Sequence, residues 1–251
     1  MKSEDFYSSL YLRDRTYGLG GAYDARILSR IQRAFPNRSG RIRILDVGCG
    51  KGELLARLRS KLGPLGYSDI RLCGVDISEP ALREAQAQGI EVKKADIDGN
   101  PLPFGDEAFD VVLCYHVIEH VLYTDELFLE CRRVLKPGGT FIVETPNIAW
   151  LFNRFLLLFG MSPLCVESSA RKNTYGVWFG PLKRHLGKFD VAGHVRAFTL
   201  PGLSDCAIAN GFRVASAYGQ DRVLGVFPSL ARNIGLVLTK EEAEPAKEKE
   251  A

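Results

Sequence analysis

The sequence has no apolar run long enough to cross a bilayer. Its longest apolar stretch, residues 149–159, is interrupted by Asn153 and Arg154 and is shorter than the roughly 20 residues that a membrane-spanning helix needs. The opening segment, MKSEDFYSSLYLRDR, is charged and lacks the apolar centre of a signal peptide. We therefore expect a soluble, cytoplasmic protein without a transmembrane segment.

The chain also lacks internal repeats and an excess of charge of one sign. Its 33 basic and 30 acidic side chains leave a formal net charge of +3, and basic clusters such as Lys93–Lys94 are short. This distribution gives no strong signal for nucleic-acid binding. The last segment, KEEAEPAKEKEA (240–251), is predicted to be a disordered charged tail. The remainder, in a chain that is 46% hydrophobic and 25% charged, has the composition of a folded globular protein.

None of the six cysteines belongs to a C-x-x-C pair. Disulfide frameworks and cysteine-based zinc sites use closer spacings than those found here. We expect the cysteines to be small buried side chains in a reducing compartment.

Strand-like and helix-like segments alternate between residues 40 and 146. Predicted strands cover 42–47, 70–75, 90–94, 109–115 and 140–145, and predicted helices cover 53–62, 78–88 and 124–135, with Ser78 as an N-cap. Pro137-Gly138-Gly139 is predicted to end the last of these helices and turn the chain into a strand. Helical spacing also covers 3–17 and 22–35, and a helix capped by Thr199 and two strands, 212–217 and 234–238, follow later.

The strands predict the fold class. Runs such as VVLCY and FIVE are apolar on successive residues, which is typical of strands buried on both faces. Strand–helix–strand alternation then implies a parallel sheet with helices on both faces. We predict one doubly wound, Rossmann-like α/β domain over 1–239. Its parts are N-terminal helices (1–38), a ligand-binding core (40–146), an insertion (147–198) and a last helix with two strands (199–239).

A glycine-rich turn, Gly48-Cys-Gly50-Lys-Gly52, follows the first predicted strand. Glycines let the backbone turn tightly and let a ligand approach it closely, and this end of the first strand is where ligands bind in open α/β sheets. Asp76 ends the second strand, where an acid can accept hydrogen bonds from both hydroxyls of a ribose. Asp46 is unsuited to a pyrophosphate but suits a cation, since opposite charges attract by ~4 kcal/mol at an effective dielectric near 20. The pattern G-x-G-x-G and both acids favour a cationic adenosine ligand.

Five segments carry a family resemblance: ILDVGCGKGELL, VDIS, ADIDGNPLPF, FDVVLCYHVIEHV and RVLKPGGTFIVETPN. In this order and spacing they resemble the class I S-adenosylmethionine-dependent methyltransferases, and most of all the small-molecule subgroup that contains ubiquinone-pathway enzymes. The resemblance covers about 40–146, with weaker similarity in GHVRAFTLPGLSDCAIANGF. It implies a seven-stranded sheet with the last strand antiparallel, S-adenosylmethionine as cofactor, and in-line methyl transfer to a small-molecule acceptor, most simply at oxygen.

The resemblance also implies which residues contact the cofactor. The turn and Asp46 would hold the methionine part and Asp76 the ribose. Ile77, Asp96 and Ile97 would contact the adenine, and Tyr115 with His116 would face the sulfonium. Core packing remains an alternative for the two isoleucines of the set, as does a local turn for Asp96. The full set is Asp46, Gly48, Cys49, Gly50, Gly52, Asp76, Ile77, Asp96, Ile97, Tyr115 and His116.

The run His116-Val-Ile-Glu119-His120 matches H-x-x-E-H, the inverted zinc-protease signature. It directly follows a buried strand, where the family pattern carries a similar E-H pair, so a protease is not expected. Some relatives with an E-x-x-E-H run bind a divalent ion there. Because His116 replaces their first Glu, we predict no metal and leave open whether an ion assists.

A hydroxyl acceptor needs a base, and histidine is the usual one. His116, His120 and His194 are the catalytic candidates, with His116 first because it ends a strand beside the expected methyl group. A packing or capping role remains the alternative for each of them.

The insertion begins with the apolar segment AWLFNRFLLLFG. It could pack against the sheet or the N-terminal helix, line a pocket for an apolar or lipid-linked acceptor, or lie on a membrane surface. Tyr175, Trp178 and Arg196 are candidate acceptor contacts, Arg196 through a carboxylate or phosphate.

Two other functions remain open from the sequence. An NAD(P)-dependent Rossmann oxidoreductase is disfavoured by the glycine spacing and by Asp46. A non-catalytic S-adenosylmethionine-binding module would keep the pocket and lack turnover. Within the methyltransferase class, protein and RNA acceptors also remain open.

Overall fold

The computed structural model describes residues 21–34, 41–169, 171–188, 191–221 and 224–240. Its helices are α1 (Gly21–Ala34), α2 (Glu53–Leu62), α3 (Glu79–Ala87), α4 (Thr124–Val134), α5 (Leu151–Leu158), α6 (Gly180–Leu186) and α7 (Leu200–Ala209). Its strands are β1 (Arg41–Val47), β2 (Asp69–Asp76), β3 (Glu91–Lys94), β4 (Phe109–Tyr115), β5 (Leu135–Pro146), β6 (Phe212–Gly219) and β7 (Asn233–Lys240). Short 3₁₀ turns cover Gly63–Leu65, Ile118–His120, Leu224–Val226 and Pro228–Leu230.

The strands form one seven-stranded sheet in the order β3-β2-β1-β4-β5-β7-β6. Strand β1 pairs in parallel with β2 on one side and β4 on the other, so the direction of strand order reverses at β1. Strand β7 runs antiparallel to both of its neighbours, β5 and β6. This arrangement confirms the predicted Rossmann-like sheet with an antiparallel last strand. It also places the end of β1 at the switch point where such sheets bind ligands.

Apolar side chains cover both faces of the sheet, as the runs of consecutive apolar residues predicted. On one face Phe128, Phe141 and Phe212 pack together, with ring centroids of Phe128 and Phe141 5.7 Å apart and those of Phe141 and Phe212 5.3 Å apart. On the other face Ile31 and Leu58, from α1 and α2, pack on buried residues of β1 and β4. Helices packed on both faces therefore hold the strands in place, including the strand ends that carry the site.

Most predicted elements agree with the structure to within a few residues, and β5 is the exception. It begins at Leu135, where a helix end was predicted, and Pro137–Gly139 lie inside it. Leu135 pairs with Phe109 and Thr140 pairs with Val111, so the residues between them form an irregularity in the strand instead of a separate turn. The predicted helix over 3–17 and the charged tail from 241 onward lie outside the described residues.

The insertion is attached to the carboxyl end of β5. The amide of Ile148 donates to the Phe198 carbonyl, and the Asn153 side chain donates to the Asn147 carbonyl and accepts from the Leu164 amide. Within α5 only Asn153 and Leu156 are buried. Of the alternatives for this segment, packing against the sheet is therefore wrong for most of the helix. Its exposed large apolar residues are Phe152, Phe155, Leu157 and Leu158.

Candidate functional site

The glycine turn joins β1 to α2 in a conformation that requires glycine. Gly48 and Gly52 have φ values of 74° and 77°, which side chains with a Cβ rarely adopt. A Cβ on Gly48 would overlap the Val117 side chain, and one on Gly52 would overlap Ile90. The amides of Gly48 and Cys49 donate to the Val75 carbonyl at 2.8 and 3.0 Å. The turn is therefore held against the end of β2, with bare backbone facing the switch point.

Asp76 ties the turn to β2. Its Oδ2 accepts a hydrogen bond from the Gly50 amide at 2.9 Å and its Oδ1 accepts one from the Ser78 amide at 2.8 Å. The side chain is buried, with 6% of its surface exposed. Each carboxylate oxygen can accept a second hydrogen bond. Asp76 can thus organise the turn and still accept the hydroxyls of a ribose, as the sequence predicted.

Asp46 lies at the end of β1 and is buried, with 4% of its surface exposed. Burial raises the pKa of its carboxyl to about 8; the charge of Asp76 adds to this rise and that of Arg57 opposes it. A carboxyl with this pKa is mainly protonated at neutral pH and becomes favourable as an anion when a cation is placed beside it. The site is therefore electrostatically suited to a positively charged ligand.

The Cys49 side chain packs against Gly74 of β2. A Cβ on Gly74 would overlap the Cys49 thiol, so the absence of a side chain at Gly74 makes room for that sulfur. Burial raises the pKa of the Cys49 thiol, with further contributions from Asp46 and Asp76. This packing supports the turn, and the predicted contact of Cys49 with the cofactor stays a prediction.

The predicted adenine contacts lie beyond the end of β3. The Ala95 amide donates to the Asp76 carbonyl at 3.1 Å, which joins the end of β3 to the end of β2, and Ile77 and Ile97 are both half-buried. Asp96 is exposed, and its Oδ1 accepts from the Asp98 amide at 3.1 Å, so it forms the local turn that was the alternative prediction. Its contact with an adenine stays a prediction.

Sequence reasoning missed Asp98. Its Oδ1 accepts from the amides of Leu122 and Tyr123 at 2.8 and 3.0 Å. This carboxylate fixes the loop after β3 against the segment that follows His120. The turn-forming composition of DIDG indicated a structured loop, but it did not indicate the hydrogen bonds of Asp98 to Leu122 and Tyr123.

Tyr115 and His116, which end β4, have different surroundings. Tyr115 is packed in the core beneath α1 and α2, and burial raises the pKa of its phenol, followed by the charge of Glu144. His116 has a φ of 56° and a half-exposed ring. Of the two, His116 is the more exposed, and the predicted contact of each with the cofactor stays a prediction.

Two buried carboxylates face the ring of His116. Its Nδ1 lies 3.2 Å from Glu119 Oε1 and its Nε2 lies 3.6 Å from Glu144 Oε1. Burial lowers the pKa of His116, but the hydrogen bond to Glu119 and the charges of Glu119 and Glu144 outweigh it, so the net shift is upward. Glu119 is within hydrogen-bond distance of Nδ1, whereas the longer distance from Nε2 to Glu144 is that of an ion pair. The role of His116 as the base stays a prediction.

Glu119 and Glu144 were not among the predicted site residues. Glu119 is 1% exposed, and its Oε2 accepts from the Thr145 hydroxyl at 3.0 Å. The H-x-x-E-H run was the signal for Glu119, and an acid inside the apolar run FIVE was the signal for Glu144. Glu119 and His120 lie in the 3₁₀ turn Ile118–His120. The single long helix that a zinc-protease signature requires is absent at these residues, which agrees with the expectation.

His120 and His194 come together although they are distant in sequence. Their ring centroids are 4.9 Å apart. The segment carrying His194 is held by Glu167, whose carboxylate accepts from the amides of Ala192 and Gly193 at 2.6 Å each, and by the Glu119 carbonyl, which accepts from Val195. Burial lowers the pKa of His120; Glu119 opposes this shift and His194 adds to it.

The other candidate acceptor contacts, Arg196, Trp178 and Tyr175, do not share the ring contact of His120 and His194. The Arg196 guanidinium donates to the Leu122 carbonyl. Trp178 is 64% exposed, and its Nε1 donates to the Phe159 carbonyl at 3.0 Å. Tyr175 is also exposed. The structure therefore brings His194 to the strand end and places Trp178 beside the end of α5.

An apolar groove of about 420 Å³ lies between α5 and α6. It is open to solvent on the surface of the insertion. Its lining consists of seven apolar side chains: Phe152, Phe155, Leu156, Phe159, Met161, Phe179 and Leu182. None of the described helices is long and apolar enough to span a bilayer.

Comparisons with known proteins agree with this geometry. Residues 45–143 match the protein family described as a methyltransferase domain. A probable S-adenosylmethionine-dependent methyltransferase of Mycolicibacterium smegmatis is 33% identical over 107 residues, which cover 41% of this chain and 38% of that protein. A ubiquinone biosynthesis O-methyltransferase of Roseobacter denitrificans is 37% identical over 110 residues, which cover 42% of each chain.

Solved structures share the fold. A SAM-dependent methyltransferase from Aquifex aeolicus is similar with a TM-score of 0.58 at 14% identity, covering 93% of this chain and 98% of that chain. The matched part of this chain spans only about two fifths of the two curated relatives. The family match over residues 45–143 ends before the insertion begins.

Proposed function

We propose that this chain is a class I S-adenosylmethionine-dependent methyltransferase that methylates an oxygen atom of an apolar small molecule, on the premise that residues 45–143 match the methyltransferase-domain family and that its relatives include a probable S-adenosylmethionine-dependent methyltransferase. The observation that carries the proposal is the buried Asp46 beside a glycine turn that Asp76 holds in place. This pocket combines a surface for a nucleoside with a carboxyl group that favours a cation.

The reaction that we propose requires little from side chains. The acceptor oxygen attacks the methyl carbon in line with the sulfonium, the C–O bond forms as the C–S bond breaks, the electron pair stays on sulfur, and the proton of the acceptor hydroxyl passes to solvent. Holding the two reactants in this alignment can contribute ~7–11 kcal/mol to lowering the barrier. His120 and His194 are the groups that we propose for contact with the acceptor oxygen, because their rings meet at the strand end.

The apolar class of acceptor is supported by the groove between α5 and α6. Phe155 and Phe159 in its lining are 52% and 60% exposed, and a contiguous exposed apolar surface commonly marks a binding site. The insertion is hydrogen-bonded to the end of β5, the edge at which the cofactor binds. The relative from Roseobacter denitrificans is named for ubiquinone biosynthesis, which also favours an acceptor with an apolar part.

The first experiment tests the cofactor pocket by calorimetric titration with S-adenosylhomocysteine and with NAD. We expect S-adenosylhomocysteine to bind and NAD not to bind. Asp76→Asn removes the charge of the carboxylate that accepts two backbone amides and that we propose to bind the ribose. Affinity for S-adenosylhomocysteine should therefore fall by about 10- to 100-fold, as expected for the loss of a hydrogen bond to a charged group. Asp69→Asn is the matched control, because Asp69 lies at the opposite end of the same strand and pairs with Arg41; it should leave affinity unchanged.

The second experiment tests the acceptor class with phenols that carry alkyl tails of increasing length. If the tail lies in the groove, each added methylene should lower KM by about fourfold, since burying one methylene is worth about 0.8 kcal/mol. Phe155→Glu should abolish this dependence on length. Ile208→Glu on α7, an exposed apolar position outside the groove, should not.

The outcomes separate the alternatives. The protein is also incubated with a metabolite extract and the cofactor, and mass spectrometry searches the extract for a product with one added CH₂. Cofactor binding without such a product would support a non-catalytic binding module. Preferential NAD binding would support an oxidoreductase. A cytoplasmic location remains a prediction of the sequence.

A further inference from the structure

Three potential metal ligands from two distant segments meet at the end of β4. Glu119 and His120 belong to the 3₁₀ turn after the strand, and His194 belongs to the segment that returns from the insertion. One ligand atom from each of them lies within 4.8 Å of the other two. The three side chains therefore surround one point at the edge of the proposed acceptor site.

The two histidines are oriented as metal-binding histidines usually are. His120 Nδ1 lies 3.2 Å from the Gly193 carbonyl oxygen, and His194 Nδ1 lies 3.3 Å from the Cys165 carbonyl oxygen. A carbonyl oxygen accepts a hydrogen bond, so each Nδ1 carries the hydrogen and each Nε2 keeps a lone pair. Histidines that bind metals almost always donate their other ring N–H to such an acceptor, which fixes the tautomer and the ring orientation.

The third side chain is a buried carboxylate that is itself held in place. Glu119 is 1% exposed, and Thr145 and His116 contact its two oxygens at 3.0 and 3.2 Å. Burying a carboxylate is costly unless charge or hydrogen bonds compensate it. The backbone of the same residue binds the His194 segment through the amides of Val195 and Arg196. Glu119 thus joins the two parts of the cluster as well as contributing an oxygen to it.

From these contacts we propose that Glu119, His120 and His194 together bind one divalent transition-metal ion. Two imidazole nitrogens and one carboxylate oxygen suit zinc, manganese, iron(II) or cobalt(II), whereas magnesium and calcium prefer oxygen ligands alone. The ligand atoms have to approach the ion to about 2.0–2.2 Å, which requires small rotations of the three side chains. Three protein ligands leave coordination positions for a substrate oxygen.

The role of the ion rests on the proposed function, although its binding does not. A hydroxyl group that coordinates the ion loses its proton to solvent more readily, since metal coordination strongly lowers the pKa of a bound oxygen acid. The resulting oxygen anion then forms the C–O bond while the C–S bond of the cofactor breaks. The ion would therefore replace a side-chain base for this acceptor, and His120 and His194 would act on the acceptor oxygen through the ion.

The test uses the full chain after treatment with a chelator, titrated with cobalt(II) and followed by its visible absorption and by calorimetry. We expect one equivalent to bind and to raise the Tm, with magnesium and calcium binding at least about tenfold more weakly. His194→Gln and His120→Gln should each weaken cobalt affinity by about tenfold or more. His185→Gln is the matched control, because His185 is the one histidine in the sequence outside this region and lies on α6; it should bind like the parent protein.

Two results would overturn the proposal. One is the absence of cobalt binding in a protein that still binds S-adenosylhomocysteine, which would leave the methyltransferase proposal intact. The other is equal cobalt affinity in His194→Gln and in the parent protein. Circular dichroism of each variant separates a lost ligand from a lost fold, and Glu119→Gln provides a third, independent removal of a ligand. Failure of S-adenosylhomocysteine binding with intact cobalt binding would instead contradict the proposed function alone.

Discussion

Binding of the cofactor should release a proton from Asp46. Burial, with a contribution from Asp76, raises the pKa of this carboxyl to about 8, so roughly nine molecules in ten carry the proton at pH 7. Ionising it at pH 7 costs about 1.4 kcal/mol, one pKa unit. A cation placed about 4 Å away contributes ~4 kcal/mol at an effective dielectric near 20. The attraction exceeds the cost, so the carboxyl should ionise when the cation binds.

Calorimetry of S-adenosylhomocysteine binding in buffers of different ionisation enthalpy measures this proton directly. About 0.9 proton should be released at pH 7, and the affinity should rise by about tenfold between pH 6 and pH 7. The ammonium group of the ligand stays largely protonated over this range, because α-amino groups titrate near pH 8. Methylthioadenosine has no ammonium group, so its affinity should not change with pH.

Asp46→Asn provides the matched variant, since it keeps the shape of the side chain and removes the titrating proton. It should bind S-adenosylhomocysteine without proton release and without the rise in affinity. The stability of the protein without ligand should change with pH in the opposite direction to the affinity. Because the folded state raises the pKa of Asp46, its contribution to stability is complete below about pH 4 and is lost as the pH rises toward 8 and beyond. Proton release of zero in the parent protein at pH 7 would show that Asp46 is already ionised or does not meet the cation.

Further variants test the turn and the core. Gly48→Ala should lower the free energy of unfolding by about 1–2 kcal/mol for the positive φ alone, and by more because its methyl group overlaps Val117; adding Val117→Ala should recover the steric part only, as a denaturation series on the single and double variants will show. Phe128→Ala, which empties a fully buried position, should cost about 3–5 kcal/mol in urea unfolding and leave cofactor affinity per folded molecule unchanged; a loss below 1 kcal/mol would contradict the packing described.

The sheet and the glycine turn at the end of β1 were largely predictable, and for a physical reason. Strands such as β4 are buried on both faces and therefore consist of consecutive apolar residues. The turn needs glycine where φ is positive, as at Gly48. The acids Asp46 and Asp76 end neighbouring strands, so their positions in sequence fix their positions in space. These signals are local, and they remain visible without a structure.

The acceptor side was less predictable because it depends on contacts between distant segments. The sequence named His120 and His194 separately, but the Glu119 backbone that joins them through Val195 has no local signature. The orientation of His116 toward two carboxylates could not be inferred from its place after β4. The exposure of α5 was also not predicted, since apolar residues in a helix ordinarily indicate burial.

The position of β7 has a consequence for synthesis of the chain. β5 pairs with β7 along Thr140–Pro146, and β7 lies between β5 and β6 although it follows both in sequence. Until residues 233–240 have left the ribosome, β5 keeps an open, apolar edge, and such edges recruit strands from other molecules. During translation the nascent polypeptide therefore passes through a long stage in which the edge of β5 is exposed. Chaperone binding and the rate of elongation then affect whether the sheet is completed or the chain aggregates.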